Sequence, residues 1–225
     1  MCFSAPASFI AGTSLSVIGV ATLKRVEARG EIPFAMIPLL FGIQQLIEGV
    51  IWLTFAGDAP VLRQAMIYAY SVFSHVLWPI YVPFALYSLE PARWRRRAIA
   101  VLQVVGLAVG LSLLYFIVTR PVVAELAGQH IVYVQPHFFL FPGQIMLYLA
   151  ATCVVCMFSS HKFVNLFGVL VLFSFIAAYA IHAATLVSVW CFFAAILSVL
   201  IFVHLRFRRL GGFPRSSVPP VAGIG

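Results

Sequence analysis

The stretch GIQQLIEGVIWL, residues 42–53, sets one carboxyl group, Glu48, in an apolar run with no Lys or Arg within ten residues on either side. An acidic side chain near the centre of a membrane helix costs ~2.5–3.5 kcal/mol on insertion-derived scales, so Glu48 predicts an inward position and a partner. At helical spacing Gln44, Glu48 and Trp52 share one face, with Gln45 beside them. In YSVFSHVLWPIYVP, residues 70–83, Ser71, His75 and Pro79 share a face flanked by Tyr68 and Trp78. In AAYAIHAATL, residues 177–186, Tyr179 and Thr185 stand three positions either side of His182.

His75 and His182 are the histidines placed well inside apolar runs. Two His and one Glu form a ligand set used by catalytic zinc, which leaves a fourth position for water. Imidazole and carboxylate also suit other transition metals. In that chemistry His75, His182 and Glu48 hold the metal, Glu48 ligates or acts as general base, and Ser71 polarises a substrate oxygen. Gln44, Gln45, Trp52, Trp78, Gln144, Tyr179 and Trp190 are the expected pocket residues. The alternative is an interhelical hydrogen-bond network that holds a bundle together without metal. Nothing at H-x-x-x-H or H-E-x-x-H spacing decides between them. The pair in CVVC, Cys153 and Cys156, reads as small buried hydrophobes. Cys2 stands beside an N-terminus whose amine and thiol together could chelate a metal, although simple packing is the commoner use.

The elements that must position these residues follow from composition. The chain has 225 residues, 63% hydrophobic and 9% charged, with mean hydropathy +1.07, against about 25% charged for a soluble domain. Lipid is the solvent that such a chain fits. A helix needs about 20 apolar residues to cross the hydrocarbon core, and seven stretches qualify, at approximately 5–23, 32–56, 65–89, 98–119, 138–158, 163–187 and 187–205. Their runs are continuous rather than alternating, which excludes the pattern of a transmembrane barrel. The expectation is an all-α polytopic seven-helix bundle over 1–209 with a disordered cytoplasmic tail at 210–225. RPVVAELAGQHIVYVQP is its one sizeable external segment, where HIVYV reads as a short strand or an interfacial stretch.

Lys24, Arg25, Arg29, Arg93, Arg95, Arg96, Arg97, Lys162, Arg206, Arg208, Arg209 and Arg215 fall at one set of span ends, leaving Arg63 and Arg120 at the other. That bias predicts an N-terminus outside and a cytoplasmic C-terminus. The cluster ARWRRR, residues 92–97, then faces a membrane surface rather than nucleic acid. At 1.5 Å per residue, Glu48 lies ~6 Å outward of its helix centre, His75 ~3 Å and His182 ~10 Å. Pro142, Gly143 and Gln144 fall at similar depth, and an outward-facing polar pocket accommodates all of them.

MCFSAPASFIAG, IPLLFGIQQLIEGVIW and VLWPIYVP resemble a family of bacterial multi-pass membrane proteins opening with Met-Cys-Phe-Ser-Ala. That resemblance implies the inner membrane of a bacterium and transfers no activity. More loosely, the chain is similar to the seven-helix membrane hydrolases that include alkaline ceramidases and adiponectin receptors, which hold an intramembrane zinc with three His. Ser71 and His75 match their Ser-x-x-x-His pattern, whereas Trp190 and Cys191 occupy the region of their paired His. The leading expectation is a metal-dependent hydrolase acting on a lipid or small amphiphile. The rival is a non-catalytic protein, whether accessory subunit in a larger membrane complex, oligomer, sensor or small-ligand binder. Neither reading takes nucleic acid as partner. A retinal protein is excluded, since Lys24 and Lys162 both lie outside the apolar runs.

Overall fold

The computed structural model describes residues 4–57, 59–127, 130–134, 142–181 and 186–207. Six helical stretches among them are long and apolar enough to cross a membrane: Ala5–Leu23, Arg29–Ala56, Pro60–Leu89, Arg93–Thr119, Lys162–Ala180 and Leu186–Phe207. The protein is a multi-pass, all-α chain with one short β-hairpin.

Helix α1 (Ala5–Leu23) starts where Ser4 Oγ accepts from the Ala7 N–H and Pro6 occupies the first turn, both favoured at a helix N-terminus. Its buried stripe is mostly small, Ser8, Gly12, Leu15, Gly19 and Thr22, which lets two backbones approach closely in lipid. A Cβ on Gly19 would stand 2.6 Å from the Leu39 Cα. The neighbour is α3 (Ile37–Ala56), which follows the short α2 (Ile32–Ala35). The stretch containing α3 is 61% buried, against 28% for α1, so α3 is the central helix and even its polar residues lie inside.

Helices α4 (Pro60–Ser71) and α5 (Trp78–Leu89) form one stretch interrupted by a π-helical turn, Val72–Leu77. Pro79 explains the interruption. It lacks an N–H, and its ring crowds the carbonyl four residues back, that of His75; a widened turn relieves that crowding. Pairing in a π turn runs from residue i to i+5, which would assign the Ser74 carbonyl to Pro79. The Tyr148 hydroxyl donates to it instead, at 2.5 Å. Helix α6 (Arg93–Thr119) packs on the far side, where a Cβ on Gly106 would collide with the Pro79 carbonyl oxygen.

The fifth expected span, 138–158, is corrected. Its described part is helix α7 (Pro142–Thr152) followed by a 3₁₀ turn, Val154–Phe158. At ~16 Å, α7 is too short to cross alone. The segment still runs from the level of Ser112, which accepts from Gln144 Nε2, to that of Arg95, which donates to the Ser159 carbonyl. Those α6 residues stand ~25 Å apart along the axis. Thr152, Val154 and Val155 are β-branched and fit an α-helix less readily. The carbonyls freed at the break need donors inside a bundle, and Arg95 reaches Ser159 at 2.7 Å while Asn165, with its amide turned to donate, meets Cys156 at 2.9 Å. Beside them Glu90, 3% exposed, accepts from the Ser160 N–H (2.7 Å), the Ser160 hydroxyl (2.5 Å) and the Ala92 N–H (3.0 Å).

The expected strand in HIVYV is present. Strands β1 (Val123–Ala127) and β2 (His130–Val134) pair antiparallel, with Glu125 opposite Val132. Alternation turns Ala124, Ile131 and Tyr133 inward, where they close an apolar cluster with Ile51, Ile67 and Ile117 at the end of the bundle opposite Arg93, Arg95, Arg96 and Arg97. Helices α8 (Lys162–Ile181) and α9 (Leu186–Phe207) complete the fold.

Candidate functional site

Gln44, Gln45 and Glu48 are all 0% exposed, because α1, α4 and α9 surround their helix. The Ser188 hydroxyl of α9 donates to Glu48 Oε1 at 2.8 Å. Ser188 was not among the expected residues; an isolated Ser in an apolar helix carries little signal until its facing residue is known. Trp52, one turn beyond Glu48, is half-buried and packs with the end cluster of Ile51 and Tyr70.

His75 sits on the π turn and is 2% exposed. Its Nδ1 lies 2.7 Å from Ser74 Oγ and 3.2 Å from the Ser71 carbonyl oxygen. The Ser74 hydroxyl reaches the Tyr70 carbonyl at 3.0 Å. Carbonyl oxygens only accept, so one assignment satisfies every contact: Ser74 donates to Tyr70, and Nδ1–H donates toward Ser74 and Ser71. Ser71 itself is fully buried.

Aromatic residues border this polar group. Trp78 Nε1 donates to Gln44 Oε1 at 2.8 Å, and its ring stacks on Phe41 at 3.9 Å. Trp190 donates to the Val171 carbonyl at 3.1 Å and meets Tyr148 and Phe175 edge-on. Trp78, Tyr148, Trp190 and Cys191, with Ile37, Phe41 and Phe167, line a narrow cavity of ≈ 40 Å³. Cys191 also lies within interaction range of Gln44, Glu48 and Tyr70. The cavity and the polar group therefore share a wall.

The cavity is lined by apolar residues, and Ile37 and Val82 place it nearer than Glu48 to the arginine-rich helix ends. Tyr179 is 57% exposed: the buried residues of α8 include Val164, Phe167, Val171 and Ala178, and one residue past Ala178 turns ~100° away from that face. Gln144 is half-buried and engaged with Ser112. His182 lies outside the described residues. Among the described residues, no group of three or more His, Cys, Asp or Glu stands together as a metal site. Glu90 and its Ser160 partner form a second buried polar tie that motif reasoning passed over, because Glu90 borders a basic loop and reads as solvated.

The model of a protein family described as "Family of unknown function (DUF6629)" matches residues 1–216. No curated protein and no solved structure matches, so the looser resemblance to ceramidases and adiponectin receptors gains no support.

Proposed function

The chain belongs to this family, and from its own geometry we propose that it is a membrane protein that binds a small amphiphile inside the bundle. The apolar part enters at the cavity between Trp78, Tyr148 and Trp190, which at ≈ 40 Å³ must widen to take it, and the polar end lies toward Gln44 and Glu48. One observation carries this reading: Trp78 and Cys191 line the cavity and also reach the buried polar residues of α3. An apolar recess with a few converging polar groups is the usual form of a small-molecule site, and an intramembrane carboxyl is a functional candidate by default. The charge bias supports an N-terminus outside and a cytoplasmic C-terminus in a bacterial inner membrane, with the polar group reached from within the bilayer. Native mass spectrometry of the purified protein with single-chain amphiphiles tests it. Wild type should retain one chain per protein, and Ala194→Phe, which fills the cavity, should lose it while staying folded. Retention by the filled variant would reject the site.

A second reading is metal-dependent hydrolysis, with zinc or another transition metal held by His75, His182 and Glu48, and with Ser71 beside the substrate oxygen. What favours it is the His75 ring: Nδ1 is held by Ser74 and the Ser71 carbonyl, an arrangement that orients Nε2 for ligation. Elemental analysis of the purified protein decides between the readings, because hydrolysis of this kind requires a stoichiometric metal that His75→Ala removes.

A further inference from the structure

Helices α5 and α6 are joined by Glu90, Pro91 and Ala92, and Arg93, Arg95, Arg96 and Arg97 fall in the first two turns of α6. That is the end of a helix at which anions rather than cations are favoured, yet the first turn of α6 holds no acidic residue. Arg95 is used internally: it donates to the Ser159 carbonyl and lies 4.8 Å from the centre of the Trp94 ring. Arg93, Arg96 and Arg97 are exposed, and among the described residues none of the three forms an ion pair. The carboxylate nearest in sequence, that of Glu90, is buried and already accepts from Ser160 and Ala92.

The neighbours of these cations set their depth. Trp94 is 63% exposed, Tyr87 in the last turn of α5 is exposed as well, and the Arg96 guanidinium lies 4.2 Å over the Tyr87 ring. Trp and Tyr concentrate at the membrane–water boundary, so the three guanidinium groups stand at the level of lipid phosphates. Toward the membrane centre the same face of α6 turns apolar. Val101, Val104 and Ala108 follow Arg97 at i+4, i+7 and i+11, and all three are exposed; Phe84 is exposed one turn deeper than Tyr87. We propose that Arg93, Arg96 and Arg97 bind the phosphodiester of an anionic phospholipid whose acyl chain lies along Val101 and Val104. A zwitterionic lipid fits less well, because its ammonium would be brought among three guanidinium groups. The site stands apart from the aromatic cavity and does not depend on a ligand there.

The test uses the full chain in a bulky detergent, titrated with dioleoyl phosphatidylglycerol or dioleoyl phosphatidylcholine and read by native mass spectrometry. Wild type should prefer phosphatidylglycerol roughly tenfold, the order expected of one or two basic side chains beside an anionic lipid. The triple variant Arg93→Gln, Arg96→Gln, Arg97→Gln should abolish that preference. A second triple variant, Lys24→Gln, Lys162→Gln, Arg206→Gln, removes the same charge from other exposed positions at the arginine-rich helix ends and should keep it. If the first triple variant fails to insert, Arg96→Gln alone should lower the preference. An equal loss in both triple variants would mean that net charge alone attracts the lipid, and would overturn the site. Equal binding of the two lipids to wild type would overturn it too, as would displacement of bound lipid by equimolar glycerol 3-phosphate, which marks a site for a free anion.

Discussion

Ser188 Oγ stands 2.8 Å from Glu48 Oε1, a bond that closes a separation of 140 positions and ties the last helix to the central one. A carboxyl group in this interior is stabilised by each donor that it receives, and a buried acceptor that loses its donor costs about 1–3 kcal/mol. Ser188→Ala is expected to lower thermal stability in detergent by that order, and Glu48→Gln, whose amide oxygen can still accept, by less. A Ser188→Ala protein as stable as wild type would show that the bond contributes nothing.

Tyr148 and Pro79 are expected to be coupled. Tyr148→Phe removes the donor to the Ser74 carbonyl and should cost ~1–3 kcal/mol. Pro79→Ala restores a backbone N–H and permits an ordinary helical turn. In the double variant the Tyr148→Phe penalty should shrink by at least ~0.5 kcal/mol, the scale at which contacting residues depart from additivity. Additive effects in a denaturation cycle would remove Pro79 from the explanation of the π turn.

At Gly106 no side chain fits, since a Cβ would collide with the Pro79 carbonyl oxygen and lie 3.3 Å from the Ala151 Cβ. Gly106→Ala should therefore cost ~1–3 kcal/mol, the range for overpacking, despite the better helix propensity of Ala. Fluorescence-detected size exclusion after a heating series measures this; an unchanged melting point would mean that α6 and α5 part at little cost.

The orientation is open to a direct experiment. A reporter fused after Arg209 should be active in the cytoplasm, and one inserted at Gly128 should report from the other side. The reverse pattern would invert the charge argument and bring the arginine-rich ends outside.

Much of the architecture was legible along the chain, because a membrane helix is announced by local quantities: the length of an apolar run and the charges at its ends. The limits of α1, α3, α6 and α9 follow the apolar runs closely, and the inward stripe of Gln44 and Glu48 follows from a spacing of four on a helix whose exposed residues, Ile43 and Leu53, lie on another face. Tertiary structure decided which faces meet. The break after Thr152 depends on donors from Arg95 and Asn165 that close the freed carbonyls. The outward turn of Tyr179 depends on α8 committing Val171 and Ala178 to the interior. Ser188 and Tyr148 became readable as partners of Glu48 and Ser74 only once α9 and α7 were docked. Lipid makes every apolar face acceptable to the solvent, so hydrophobicity marks the spans but not their mutual rotation. That rotation is chosen by close packing at small residues such as Gly19 and Gly106, and by the pairing of the few polar groups inside the bundle.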